Sequence, residues 1–147
     1  MSDKRDVIIE LFRKAYDSEI GTEYYIPTSI KNVPICKSED AYEKTLPVAV
    51  LSHVSTAAGI ADIGGKNLLN RHLIDCNVYI QRTAEYDWQE LLSEICNEII
   101  NKICENLNQF ENCIFEVLHV RNLTGLEKNE VERRLIEIEI IEIEEVS

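Results

Sequence analysis

The feature that most constrains this chain is the stretch EYDWQELLSEICNEIINKICENL, residues 85–107. Trp88, Leu91, Leu92, Ile95, Ile99, Ile103 and Leu107 recur at steps of three and four, so one helical face collects them. Glu90, Glu94, Glu98, Asn101, Lys102 and Glu105 fall largely on the other face, and neither Gly nor Pro interrupts the run. Thr83 can cap the start, or the helix can begin later, at Asp87, with Glu90 three residues on in a capping-box arrangement. A helix over the whole stretch is about 35 Å long, enough to cover one face of a small sheet. Cys96, Ile100 and Cys104 widen the apolar stripe beyond a coiled-coil seam, which predicts a helix packed on a sheet.

Around this helix the sequence predicts four strands and a second helix. Residues 3–16 carry the stripe Val7, Ile8, Leu11, Phe12 and Ala15, with Ser2 or Asp3 as cap and Gly21 available as a stop. The basic cluster Lys4, Arg5, Arg13 and Lys14 reads as a solvated face. Residues 22–45 read as irregular, apart from a short strand at Tyr24-Tyr25-Ile26 stopped by Pro27. Residues 46–54 read as a strand with Val48, Val50 and Val54 on one face. Residues 72–81 alternate most clearly: Ile74, Cys76, Val78 and Ile80 face one way, Leu73, Asp75, Asn77, Tyr79 and Gln81 the other. Residues 110–121 form a strand whose phase breaks at Ile114-Phe115 and Val117-Leu118. Residues 132–144 alternate Ile with Glu, and a β-bulge at Ile140-Ile141 would keep the isoleucines on one face and four glutamates on the other. The expected fold is therefore α+β. An N-terminal helix and one long helix pack on a mainly antiparallel sheet of four strands or slightly more, in the order α-β-β-α-β-β.

A length of 147 residues predicts one domain with a real core. No apolar run approaches the roughly 20 residues a transmembrane helix needs, and the N-terminal residues mix charges into their apolar part unlike a secretory signal. The expectation is a soluble cytoplasmic protein. The net charge of −12, from 27 acidic and 15 basic side chains, makes phosphate-backbone binding a poor expectation. The five cysteines (Cys36, Cys76, Cys96, Cys104, Cys113) are odd in number and lack a CxxC, which predicts reduced thiols. Cys36, beside Lys37, is the one whose pKa a neighbouring cation would lower, but no partner base is identifiable.

Residues 55–71, STAAGIADIGGKNLLNR, are the least ordinary stretch. The segment is too long for a tight hairpin loop, and Gly64-Gly65 is a turn signal inside it. It reads as an extended hairpin arm or a flexible loop that presents apolar residues to a partner. Ile60, Ile63, Leu68 and Leu69, with Arg71 at its end, are the candidate contact residues.

Signatures of common enzyme chemistries are missing from the sequence: no GxSxG, HExxH, GxxxxGK[ST] or GxGxxG occurs. His53 and His72 flank the arm and Asp75 lies close in sequence, but histidines at strand ends or on polar strand positions are commonplace. No catalytic, cofactor or metal site is expected from them.

The order of these segments resembles the small tail-completion proteins of tailed bacteriophages, the tail-terminator or head–tail joining group. A first helix leads through an irregular segment into an lP-x-V-x-V strand, here Leu46-Pro47-Val48-Ala49-Val50. A glycine-bearing loop follows, then an r-x-x-x-D-x-x-V-Y strand, here Arg71, Asp75, Val78 and Tyr79, and then the long helix with two closing strands. Residues 22–45 and the acidic, isoleucine-rich last strand have no counterpart in that pattern. The resemblance implies a non-enzymatic structural protein without a cofactor. It would form a homo-oligomeric ring, commonly a hexamer, on the end of the tail tube. There it would stop tube polymerisation and meet the head-side connector. It would reside in the cytoplasm of a bacterial host during assembly and then in the virion. A non-catalytic adaptor module, or an enzyme built on His53, His72 and Asp75, are the alternative classes.

Overall fold

The computed structural model describes residues 3–18, 20–60, 67–106, 113–123 and 130–145, with the backbone alone at Glu43, Ile60, Asn67, Glu144 and Glu145. A short helix α1 (Lys4–Ile9) precedes three short strands, β1 (Arg13–Asp17), β2 (Gly21–Ile26) and β3 (Val33–Lys37). A 3-10 segment (Ser38–Glu43) leads into two long strands, β4 (Val48–Ile60) and β5 (Asn67–Gln81). The helix α2 (Trp88–Glu105) and strands β6 (Cys113–Asn122) and β7 (Val131–Glu145) complete the chain.

These seven strands form one sheet in the order β1-β2-β3-β4-β5-β7-β6. Every pairing is antiparallel except β3 with β4, whose parallel register requires the crossover that the 3-10 segment supplies. The expected sheet of about four antiparallel strands, in the order α-β-β-α-β-β, is thus corrected to a mixed seven-stranded sheet that curls around α2. α2 touches β2, β5, β6 and β7.

The correction comes from the first third of the chain. The helix expected over residues 3–16 stops at Ile9, and Ala15 pairs with Glu23 in the β1–β2 hairpin instead. Gly21, read as a helix stop, opens β2 at φ +81°, a backbone conformation that glycine adopts without cost. Residues 22–45 hold two strands and the 3-10 segment. Tyr24-Tyr25-Ile26 lies in β2 as expected, but the run through Pro34 does not look like a strand. Pro34 is tolerated at the point where β3 passes from pairing with β2 to pairing with β4.

α2 begins at Asp87, whose carboxylate accepts from the Glu90 N–H at 3.1 Å. Its buried stripe is Leu91, Leu92, Ile95, Cys96, Ile99 and Ile103. These side chains meet Ile74, Cys76, Val78 and Ile80 of β5 and Ile136, Ile138 and Ile140 of β7, all completely buried. Burying each such side chain stabilises the fold by about 1.5–3 kcal/mol. Ile8, Ile9 and Phe12 extend this core from the α1 end. On the opposite face, the 3-10 segment covers a smaller cluster of Cys36, Val48 and Val50, packed with Ala41, Leu46 and Tyr79.

Cys36 therefore lies in a strand rather than a loop, and burial pushes its thiol up to about 11, the reverse of the activation that a neighbouring lysine would give. All five cysteines are free thiols, and only Cys104 is exposed.

Candidate functional site

β4 and β5 run for 13 and 15 residues, beyond the usual strand length. Past the bulge between His53 and Ser55 they stay paired out to Ile60↔Leu68, and β7 accompanies β5 as far as Asn67↔Glu145. The described part of residues 55–71 is thus a strand-paired arm. Ile63 and the Gly64-Gly65 turn signal lie outside the described residues.

Of the other candidate contacts, Ile60 pairs with Leu68, and Leu68 shares the inward face of the sheet with Asn70 and His72. Leu69 and Arg71 point to the opposite face. Leu68 and Leu69 are half-buried; Arg71 is exposed and holds Glu139 at 2.9 Å. Among the described candidates, Leu68 does not share a surface with Leu69 and Arg71.

The outward face at this end carries other apolar residues. Leu73 and Ile141 are half-buried there, and Ile143 and Ile114 are 41% and 47% exposed. The sequence reading missed this row because it placed a bulge at Ile140-Ile141. β7 instead pairs with β5 residue for residue, without a shift. Strict alternation therefore sends Ile141 and Ile143 outward and turns Glu142 inward. The irregularity lies in β6, between Val117 and His119, where the phase of the sequence breaks.

Glu142 is turned toward a core and has partners there. Lys4, 6% exposed, pairs its ammonium with one carboxylate oxygen. His72, 1% exposed, places Nε2 3.3 Å from the other. Lys4 is thus no part of a solvated basic face. Its neighbour Arg5 is likewise held, by Asp3 and by Glu39 of the 3-10 segment at 2.6 Å. Burial acts to raise the Glu142 pKa, but the hydrogen bonds from Lys4 and His72 outweigh it and hold the carboxyl below its ordinary value.

The hydrogen-bonded chain continues from Glu142. His72 Nδ1 lies 3.1 Å from Thr56 Oγ1, and that same hydroxyl lies 3.0 Å from His53 Nε2. The two imidazole centroids are 5.6 Å apart. The bulge at Val54 makes this possible. His53 pairs with Ile74 and Thr56 with His72, so two residues three apart in sequence share one face. Asp75 does not join them. It faces the other way, across from Glu137, and its pKa is raised by burial and then by that glutamate. The triad His53, His72 and Asp75 is therefore not assembled. His119 sits far from the pair in register, opposite Glu137 on β6.

A cleft of about 320 Å³ opens between α1, the β1–β2 hairpin and β3. Its lysines are engaged: Lys37 with Asp3 and Asp6, Lys44 with Glu23, and Lys14 over the Tyr24 ring. No α-helix among the described residues is long and apolar enough to cross a membrane. No protein-family model matches this sequence, and no curated protein matches it.

Proposed function

We propose that this chain is a structural assembly protein of the tail-completion kind. In this reading it caps a phage or prophage tail tube as an oligomeric ring and presents a face to the head-side connector. It would act in the cytoplasm of a bacterial host and remain in the virion. The observation that carries the reading is the β4–β5–β7 arm, which runs on past the part of the sheet that α2 covers, with Leu69, Leu73, Ile141 and Ile143 on its outward side. A ring subunit needs a rigid body and an extension that reaches a neighbour, and closed rings arise from such head-to-tail contacts. An apolar row on an exposed sheet face is a recognised mark of a protein contact. The net charge of −12 suits a ring that lets DNA pass without holding it.

The test is solution mass by light scattering over a concentration series, with negative-stain images, alone and with purified tail tubes. Rings of about six subunits, in solution or on tube ends, are expected. The double variant Leu69→Asp, Ile143→Asp should remain folded and lose them. A protein that stays monomeric and ignores tubes at every concentration would overturn the reading.

A further inference from the structure

The geometry points to a metal-ion site at the base of the arm: His53 Nε2 and His72 Nδ1 form a two-imidazole site for a late first-row divalent ion such as Ni²⁺ or Zn²⁺.

Three observations converge. First, both ring nitrogens aim at one point, the Thr56 hydroxyl, at 3.0 and 3.1 Å. The hydroxyl donates to the His72 Nδ1 lone pair and accepts from His53 Nε2 when that nitrogen carries its proton. In the other His53 tautomer both nitrogens present lone pairs to the same point, and a cation there takes both. Second, Glu142 stands behind His72. Its carboxylate at Nε2 favours the tautomer with the proton on that nitrogen, which leaves the Nδ1 lone pair facing the site. A carboxylate behind a histidine is the usual outer support of a metal-bound imidazole, and it raises the basicity of the ligand. Lys4 in turn fixes that carboxylate. Third, the site has a rigid side and an open side. His72 is buried, whereas His53 and Thr56 lie on the exposed stretch of β4, where an ion can enter. The Val54 bulge that brings His53 and Thr56 onto one face is the kind of irregularity that re-aims side chains at sites.

Metal–imidazole bonds are about 2.0–2.1 Å long, so binding requires the rings to close on the ion and the Thr56 hydroxyl to rotate aside or join as a ligand. His53, on the exposed side, is free to make that movement. Among the described residues no cluster of three His, Cys, Asp or Glu is placed to hold an ion, so water completes the shell. Two imidazoles with open positions favour nickel, copper or zinc over magnesium or calcium, which prefer oxygen ligands.

The test is calorimetric titration of the full chain with Ni²⁺ and with Zn²⁺, beside long-range ¹⁵N spectra of the histidine rings. Expected are one ion per chain, shifts at His53 Nε2 and His72 Nδ1, and a higher melting temperature with the ion present. His53→Ala, at an exposed position, should keep the fold and lose the binding. Glu142→Gln should weaken it by about 10–100-fold. Cys104→Ser should leave it unchanged. Failure of the wild-type chain to bind saturably would overturn the inference. Binding that survives His53→Ala, or that disappears with Cys104→Ser, would overturn it equally.

Discussion

The two halves of β5 are made of one strand and belong to two different environments. From Ile74 to Ile80 every inward residue is apolar and completely buried against α2. From His72 back toward Asn67 the inward residues are His72, Asn70 and Leu68, and the apolar side chains shift to the outward face at Leu69 and Leu73. β7 changes in step, from Ile136, Ile138 and Ile140 to Glu142. The exchange shows that one face of a sheet is not a single environment. Under α2 the inward face excludes water and takes apolar groups. Beyond it the same face holds His72 and Glu142 by ions and hydrogen bonds, with Leu68 the apolar residue that stays inward, while Leu69, Leu73, Ile141 and Ile143 turn outward.

This contrast can be broken from either side. The largest effect is expected under the helix. Ile99→Ala should lower stability by about 2–5 kcal/mol, read by urea unfolding, because a completely buried side chain leaves a cavity. An equal loss from Leu69→Ala would erase the distinction between the halves. Next comes the polar junction. Glu142→Ala leaves Lys4 and His72 buried without their carboxylate and should cost about 1–3 kcal/mol. A variant as stable as wild type would mean that the pair contributes nothing to the fold.

The same junction should respond to acid. The Glu142 carboxyl is depressed in the folded state, so its contribution is present above its unfolded value of 4.5. That contribution is lost as pH falls through the lower folded value. A stability–pH curve of wild type minus Glu142→Gln should therefore drop on the acid side; a flat difference would count against the pairing. Removing the Asp87 cap by Asp87→Ala should cost about 1 kcal/mol, measurable by thermal melting. The smallest stability effect is expected at the arm surface. Arg71→Ala should cost less than about 1 kcal/mol, since an exposed ion pair contributes little.

The helix-covered half was legible in the sequence because its signals are local. Asp87 and Glu90 mark the helix start, the three-and-four spacing gives the buried stripe, and residues 74–80 alternate without error. The edge strands were not legible. RKAYD in β1 has no apolar alternation, since nearly all of it is exposed, and it is a strand only because β2 is there to pair with. Four consecutive buried residues of β3, Val33 to Cys36, carry no period because both faces are covered.

The inward turn of Glu142 was hidden for another reason. Its justification is Lys4, 138 residues away, and no window along the chain contains both. In the candidate site, the closeness of His53 and His72 followed from the hairpin, but the bulge that aligns them with Thr56 did not. The outward row through Ile143 was concealed by the same misplaced phase at Ile140-Ile141.

β7 follows β6 along the chain, yet it lies between β5 and β6, not at an edge. A ribosome making this protein would release β4, β5, α2 and β6 before the strand that joins them exists. Until β7 has been made, β6 lacks the strand it pairs with and the buried stripe of α2 lacks Ile136, Ile138 and Ile140 as partners. Pairing of β6 into the sheet is thus deferred until β7 has been made. A chain cut before β7 loses the strand that joins β6 to the rest of the sheet and leaves the edges of β5 and β6 unpaired, a form suited to degradation or aggregation rather than partial function.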